Sequence, residues 1–170
     1  MDESPAGTPQ GNLHELTHRI NYTDIYVLVT PSDLKLDPLV GKVSDDGAGA
    51  VATFSGVTRD TFNGKGVLRL EYEAYEPMAL KKMAEICGEA AQKWSLKKVA
   101  MAHRTGLVGI GHPSVIIAAS SAHRADALEA CHWAIDELKA RVPIWKKEFY
   151  EGGDVWKENA ESRQSTTQQQ

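Results

Sequence analysis

Lysine side chains cluster around an apolar break near the C-terminal end of the chain. Residues 138–148 read LKARVPIWKKE, with Lys139 before the break and Lys146 and Lys147 after it. Pro143 lies in the break and disfavours a helical conformation at the residue before it, so we expect a helix to end there. Two interpretations remain open. In the first, the lysines are ordinary charges at a helix end, which the helix dipole favours. In the second, the stretch is a rigid segment that holds cations in place to stabilise developing negative charge.

A second candidate site is the sequence SSAHR at 120–124, which follows an apolar strand and opens a predicted helix. The first turn of a helix has unpaired backbone N–H groups and the positive end of the dipole, which favour an anion. His123 and Arg124 would add charge-assisted donors at that point. The alternative is a serine N-cap followed by exposed polar side chains, and spacing alone favours neither.

The distance between these two candidates has a consequence for assembly. His123 and Lys139 lie 16 residues apart, which is about 24 Å along a helix. A small ligand cannot contact both side chains within one subunit. If both belong to one anion site, two chains must share it, which predicts a homodimer with two symmetric pockets.

Arg59 is a third candidate, because it enters a glycine-containing loop directly after a predicted strand. Loops of this kind often contact ligands, although a lone loop arginine is commonly just solvated. The glycine-rich stretch at 106–114, GLVGIGHPS, lacks the nucleotide-binding spacing and precedes a strand rather than a helix. We therefore interpret it as a hairpin connection.

The remaining reactive residue types favour structural roles. Cys87 and Cys131 lie within helical patterns, without a C-x-x-C spacing, and are expected to be buried small hydrophobic residues. His103 comes late in a strand, where a structural hydrogen bond is at least as common as a functional role. We expect neither a metal site nor a resident cofactor.

The elements that must position these residues mix strands and helices without strict βαβ repetition. Periodicity predicts strands over 24–30, 47–56, 67–76, 99–106 and 114–121, and an extended piece at IWKKEFY. It predicts a short helix or turn over 36–45 and helices over 76–94 and 123–141. This pattern indicates an α+β fold with a largely antiparallel sheet. Residues 23–158 would form one domain, between a mobile N-terminal arm (1–22) and a disordered polar tail (159–170).

Composition limits the class of protein. The chain has 170 residues, 42% of them hydrophobic, and a net charge of −4, which argues against non-specific nucleic-acid binding. No apolar run approaches the roughly 20 residues that a membrane helix needs. Two cysteines without a secretory leader indicate the cytosol.

Five motifs, in their order and spacing, resemble one family. They are FSGxxR (54–59), LEYEAY (70–75), HRxG (103–106), SSAHR (120–124) and LKARVPIWKKE (138–148). Together they resemble the large, catalytic subunit of molybdopterin synthase, in its eukaryotic form, over 24–157. One departure is Val57, which stands where many bacterial members have a basic residue.

The resemblance implies a reaction and an assembly. The family is a sulfurtransferase that converts cyclic pyranopterin monophosphate to molybdopterin, with a dithiolene, in molybdenum cofactor biosynthesis. Sulfur arrives as a thiocarboxylate at the C-terminus of a small ubiquitin-like subunit. The assembly is a heterotetramer around a homodimer of large subunits, and the fold is of the α/β hammerhead type.

The resemblance also implies roles for individual residues. His123 and Arg124 would bind the phosphate and pterin end of the substrate, and Arg59 would help to bind it. Lys139 would lie beside the thiocarboxylate carbonyl, and Lys146 would be a second active-site cation. Lys147 and Glu148 would flank Lys146. The alternative function is a non-enzymatic dimeric module that binds a phosphorylated small ligand or a partner's C-terminal tail through the same cations.

Overall fold

A computed structural model describes residues 14–20 and 23–157, with side chains up to 153. The strands are β1 (His14–Ile20), β2 (Thr23–Thr30), β3 (Ala50–Val57), β4 (Thr61–Phe62), β5 (Lys65–Ala74), β6 (Lys98–Arg104), β7 (Gly106–Gly109), β8 (Pro113–Ser121), β9 (Ile144–Tyr150) and β10 (Gly153–Lys157). The helices are α1 (Leu36–Val43), α2 (Glu76–Lys93) and α3 (Arg124–Arg141). None of the helices in these ranges is long and apolar enough to cross a membrane.

The first sheet carries the core and has the strand order β1-β2-β6-β8-β3. Its interior strand β8 is buried along nearly its whole length, as its run of Val, Ile and Ala predicts for a strand covered on both faces. Ile117 packs with α2 and α3 on one face. Its neighbour Ile116 packs with α1 on the other face. This three-layer arrangement fixes α3, and therefore its C-terminal end, against β3 and β8.

The ends of α3 follow from local sequence. Half of its buried residues are alanine (Ala127, Ala130, Ala134), which allows close approach to the sheet, and the last buried residue is Leu138. Val142, before Pro143, is extended (φ −86°, ψ 128°), so the helix stops where the proline predicts. The chain then turns directly into β9.

The second sheet has the order β10-β9-β5-β4, with β7 also paired to β5. A tight turn joins β4 to β5, with positive φ at Asn63 (49°) and Gly64 (75°), as the Asn-Gly sequence predicts. In the antiparallel β5–β9 pair, Tyr72 lies opposite Lys146 and Leu70 opposite Glu148. This register brings β9 side chains to the junction between the two sheets.

The predicted α+β class with a largely antiparallel sheet is confirmed, since β2–β6 is the only parallel pair among the described strands. Within the predicted N-terminal arm (1–22), His14–Ile20 form a strand that pairs with β2 along seven residues. The alternating apolar residues Leu16 and Ile20 are too few for the strand to be read from the sequence. Residues 1–13, 21–22 and the predicted tail at 159–170 lie outside the described residues.

Candidate active site

A cavity of about 510 Å³ lies where the two sheets meet the end of α3. Seven helices and strands contribute to its walls, which is why no single motif describes it. The lining residues are Phe54, Ser55, Gly56, Val57, Arg59, Thr61, Phe62, Val67, Leu70, Tyr72, His103, Ser114, Val115, Ile135, Leu138, Lys139, Lys146 and Glu148.

Two lysines reach this cavity from different elements. Lys139 lies in the last turn of α3 and Lys146 near the start of β9, and both side chains are half-buried. The turn at Pro143 lets the chain reverse between them. The Pro143 carbonyl accepts a hydrogen bond from the backbone N–H of Tyr75 (3.2 Å), which ties the turn to the start of α2. The apolar break in the motif thus separates two cation-bearing elements that converge.

A buried carboxylate accompanies Lys146. Glu148 is only 3% exposed, and its Oε1 lies 3.1 Å from Nζ of Lys146. The hydroxyl of Tyr150 donates a hydrogen bond to the same carboxylate. A buried carboxylate needs such partners, and the pair fixes the direction in which the Lys146 ammonium points.

Arg59 lies at the exposed rim of the cavity, with its guanidinium 5.6 Å from the centre of the Phe62 ring. Val57, from the same loop, also lines the cavity and is half exposed. Of the sequence-predicted residues, Arg59, Lys139, Lys146 and Glu148 therefore meet in one place.

The other three predicted residues lie elsewhere. His123 is the N-cap of α3 and Arg124 its first residue, both exposed at the end of the helix opposite Lys139. The hydroxyl of Ser121 donates to the His123 carbonyl (2.5 Å) instead of capping the helix. Lys147 points to the outer face of the second sheet, with Nζ 4.8 Å from the centre of the Phe149 ring. Within one chain, Lys147 therefore does not flank Lys146 in the cavity, because successive strand residues face opposite sides.

The floor of the cavity is polar and uncharged. His103 is 3% exposed, and its ring meets that of Tyr72 edge to face at 5.1 Å. Burial lowers the pKa of His103 to about 4, so its imidazole is neutral at pH 7. Burial also raises the pKa of Tyr72 above its usual value. The rest of the lining is largely apolar, including Phe54, Val67, Leu70, Val115, Ile135 and Leu138.

Sequence reasoning missed Tyr72 and Ser114, and it left His103 open between a structural and a functional role. The alternation in β5 places Tyr72 on the same face as Leu70, which indicated burial but not a cavity. The presence of His103 in the floor depends on the packing of one sheet against the other, for which the sequence has no signal.

The two cysteines are buried in the core, as predicted. Burial raises the pKa of the Cys131 thiol to about 11 and that of Cys87 further. Neither lines the cavity. Among the residues with described side chains, no group of three or more His, Cys, Asp or Glu side chains could hold a metal ion.

Comparison with known proteins decides the family. The model of the family described as "MoaE protein" matches residues 29–141, which contain most of the cavity lining. The chain belongs to the MoaE family. Lys146 and Glu148 lie just beyond the matched range, in the strand that pairs with β5.

Curated relatives share the sequence over the same region. The chain is 60% identical over 119 residues to the molybdopterin synthase catalytic subunit of Arabidopsis thaliana, covering 70% of this chain and 60% of the relative. It is 51% identical over 132 residues to that of Homo sapiens, covering 78% and 70%. Against the plant relatives, the matched part spans only 60% to 66% of their length.

Solved MoaE-family structures share the fold. The crystal structure of molybdopterin synthase from Staphylococcus aureus matches with a TM-score of 0.73 at 38% identity, covering 76% of this chain and 94% of that one. The complex of subunits 1 and 2 of molybdopterin-converting factor from Helicobacter pylori matches with a TM-score of 0.55 at 26% identity, covering 69% and 75%.

Proposed function

We propose that this chain is the catalytic subunit of a molybdopterin synthase. It would transfer sulfur from the thiocarboxylated C-terminus of a small ubiquitin-like subunit to cyclic pyranopterin monophosphate, making the dithiolene of molybdopterin. The observation that carries the proposal is the convergence of Lys139 and Lys146 on one cavity in a chain of the MoaE family. The H. pylori relative is known as a two-subunit complex, which supports a small-subunit partner here.

The cavity suits the chemistry of an acyl thioacid. Transfer from such a group passes through oxyanionic intermediates, and ammonium groups held in fixed positions stabilise them without reorganisation. In this proposal Lys139 lies beside the thiocarboxylate carbonyl and Lys146, held by Glu148 at 3.1 Å, is the second cation. The sulfur comes with the partner, so the chain needs no reactive cysteine, which agrees with the burial of Cys87 and Cys131.

The size and walls of the cavity suit a narrow peptide tail beside a small substrate. Its volume of about 510 Å³ lies within the usual range of roughly 300–1,000 Å³ for small-molecule sites. Arg59 at the rim would help to bind the anionic substrate. The free cysteines fit a reducing compartment, and we place the reaction in the cytosol.

We further propose that two chains share each site. His123 and Arg124 are exposed at the far end of α3, about 24 Å from Lys139 by helical rise, so they reach a substrate in this cavity only from a neighbouring chain. Mixing Lys139→Ala with His123→Ala protein should restore part of the activity that each variant lacks, because a mixed dimer keeps one intact site. Demonstrated subunit exchange without any recovery would contradict a shared site.

The proposed reaction is tested with purified protein and thiocarboxylated small subunit. Cyclic pyranopterin monophosphate should be converted to a dithiolene product, with loss of one thiocarboxylate per sulfur transferred. Tight binding of the tail or substrate without sulfur transfer would instead support the non-enzymatic binding module.

A further inference from the structure

His103 has a hydrogen-bonding capacity that the proposed lysine chemistry does not use. It lies in β6, lines the cavity with Lys139 and Lys146, and is only 3% exposed. A ring nitrogen on the wall of a cavity can form a hydrogen bond with a ligand that enters the cavity and excludes water from it. The arrangement of its two ring nitrogens shows which partner it requires.

The backbone fixes the tautomer of this imidazole. Nδ1 lies 2.8 Å from the carbonyl oxygen of Arg104, and a carbonyl can only accept, so Nδ1 carries the proton. In a neutral ring the other nitrogen, Nε2, is then an acceptor. Burial keeps the pKa of His103 at about 4, so this assignment holds across the neutral pH range. Among the hydrogen bonds of the described residues, the one made by the His103 ring uses Nδ1, which leaves Nε2 for a ligand.

The surrounding groups make an acceptor at this place distinctive. Lys139 and Lys146 only donate, so they face acceptor atoms of a ligand. Nearby Tyr72 meets the His103 ring edge to face, and the Ser114 hydroxyl donates to the Gly56 carbonyl (3.5 Å). A ligand whose oxygens face the lysines and whose N–H faces the floor would satisfy both sets of groups.

We propose that Nε2 of His103 accepts a hydrogen bond from an N–H group of the ligand bound in the lysine cavity. The inference rests on the proposed function and names a contact within the same site. Two ligands of that reaction carry such a donor: the peptide N–H groups of the small subunit's tail and the ring N–H groups of the pterin. The test treats them separately.

The direct test is the 15N resonance of Nε2 in wild-type protein, which needs no variant to fold. The two probes are the small subunit with an ordinary C-terminal carboxylate and, separately, cyclic pyranopterin monophosphate. A hydrogen bond to Nε2 moves its resonance upfield, and the ligand that causes this shift is the donor. Saturation with both ligands without an upfield shift would overturn the proposal.

Calorimetry on variants gives the second test. A neutral hydrogen bond contributes about 1 kcal/mol, and a buried donor left unpaired costs about 1–3 kcal/mol. His103→Leu should therefore raise Kd for the donor ligand about 5- to 100-fold and leave Kd for the other ligand within about threefold. His103→Gln, whose amide oxygen reaches near the Nε2 position, should recover most of the affinity. His132→Leu, at a position whose side chain is 80% exposed on α3, is the matched control and should bind both ligands like the wild type.

The outcomes separate this contact from the reaction. Turnover by the wild type without an upfield shift would overturn the contact and leave the reaction standing. A shift without turnover would support the contact and count against the reaction. Equal losses of affinity for both ligands in His103→Leu, unrelieved in His103→Gln, would indicate a structural role only and contradict the proposal. A wild type that binds neither ligand would overturn both.

Discussion

Replacing Arg141 with methionine should loosen the helix end that presents Lys139. The Arg141 guanidinium makes two parallel hydrogen bonds to Glu89 on α2, at 2.8 and 2.7 Å. It also contacts Glu137 one turn earlier on α3, at 3.2 Å. Because Arg141 follows Lys139 by two residues, this clamp holds the end of α3 against α2 next to the cavity.

The size of the effect follows from geometry and exposure. Bidentate Arg–carboxylate pairs are stronger than single contacts, but the Arg141 and Glu89 side chains are 28% and 49% exposed, so solvent screens them. We expect the free energy of unfolding to fall by about 0.5–1 kcal/mol. In a chain of this length that lowers Tm by about 1–4 °C. Such a loss leaves the protein folded at 25 °C, so a reduced kcat there would come from misplacement of Lys139.

The stability difference between wild type and Arg141→Met should depend on pH. The hydrogen bond from Arg141 holds the pKa of Glu89 below its usual value. A carboxyl whose pKa is lowered in the folded state stabilises the protein above its unfolded pKa, about 4.3 for Glu, and loses that contribution as pH falls through the folded pKa. The difference in stability between wild type and Arg141→Met should therefore be full at pH 7 and shrink below about pH 4.3.

Urea unfolding at pH 7 and near pH 3.5 measures this difference, and a double-mutant cycle with Glu89→Gln isolates the pair. The control is Arg19→Met, since Arg19 makes a single exposed contact of 3.5 Å to Asp24 and should change stability by less than about 0.5 kcal/mol. A coupling energy near zero, or a stability difference that grows at acid pH, would refute the reasoning.

The cavity and the fold allow two further predictions. Lys146→Ala should lower kcat on the order of 100-fold, as loss of an oxyanion-stabilising group does, whereas Lys147→Ala, on the opposite face of β9, should stay within about threefold of wild type. Steady-state turnover of both variants checks this, and equal losses would contradict the assigned faces. Gly49→Ala should destabilise the protein by about 1–3 kcal/mol, because a Cβ there would lie 2.3 Å from the Ala122 carbonyl oxygen. Gly41 lies in α1, and a Cβ added there would meet nothing within 4 Å, so Gly41→Ala should stabilise the protein by about 0.5–1 kcal/mol. Thermal melts in which both variants shift Tm in the same direction would contradict the packing described.

Most long elements could be predicted from the sequence because their periodicity is local. The apolar spacing of α2 and α3 and the doubly buried run of β8 are visible without tertiary contacts. β1, β4, β7 and β10 were not predicted, because short or polar strands form only when a partner strand supplies hydrogen bonds. β7, for example, depends on pairing with Leu70 and Tyr72 in β5.

The charged residues of the candidate site could be predicted from the sequence, but the residues that enclose the cavity could not. Lys139 and Lys146 were recognisable because Pro143 marks the helix end between them. The role of Glu148 depends on its burial beside Lys146, and the role of His103 depends on the contact between the two sheets. Both are products of tertiary packing. The family resemblance groups Lys147 with Lys146, whereas strand alternation predicts opposite faces for the two side chains, and of the two only Lys146 lines the cavity.

The most direct test of the central claim is single-turnover sulfur transfer by Lys139→Ala in complex with the thiocarboxylated small subunit. The fold and thermal stability should match those of the wild type, because Lys139 is a half-buried helix-end residue, and the small subunit is used at saturating concentration. Transfer to cyclic pyranopterin monophosphate should fall at least about 100-fold, since an oxyanion-stabilising cation is gone. Wild-type rates of dithiolene formation by this variant would contradict the assignment of the cavity as the site of sulfur transfer.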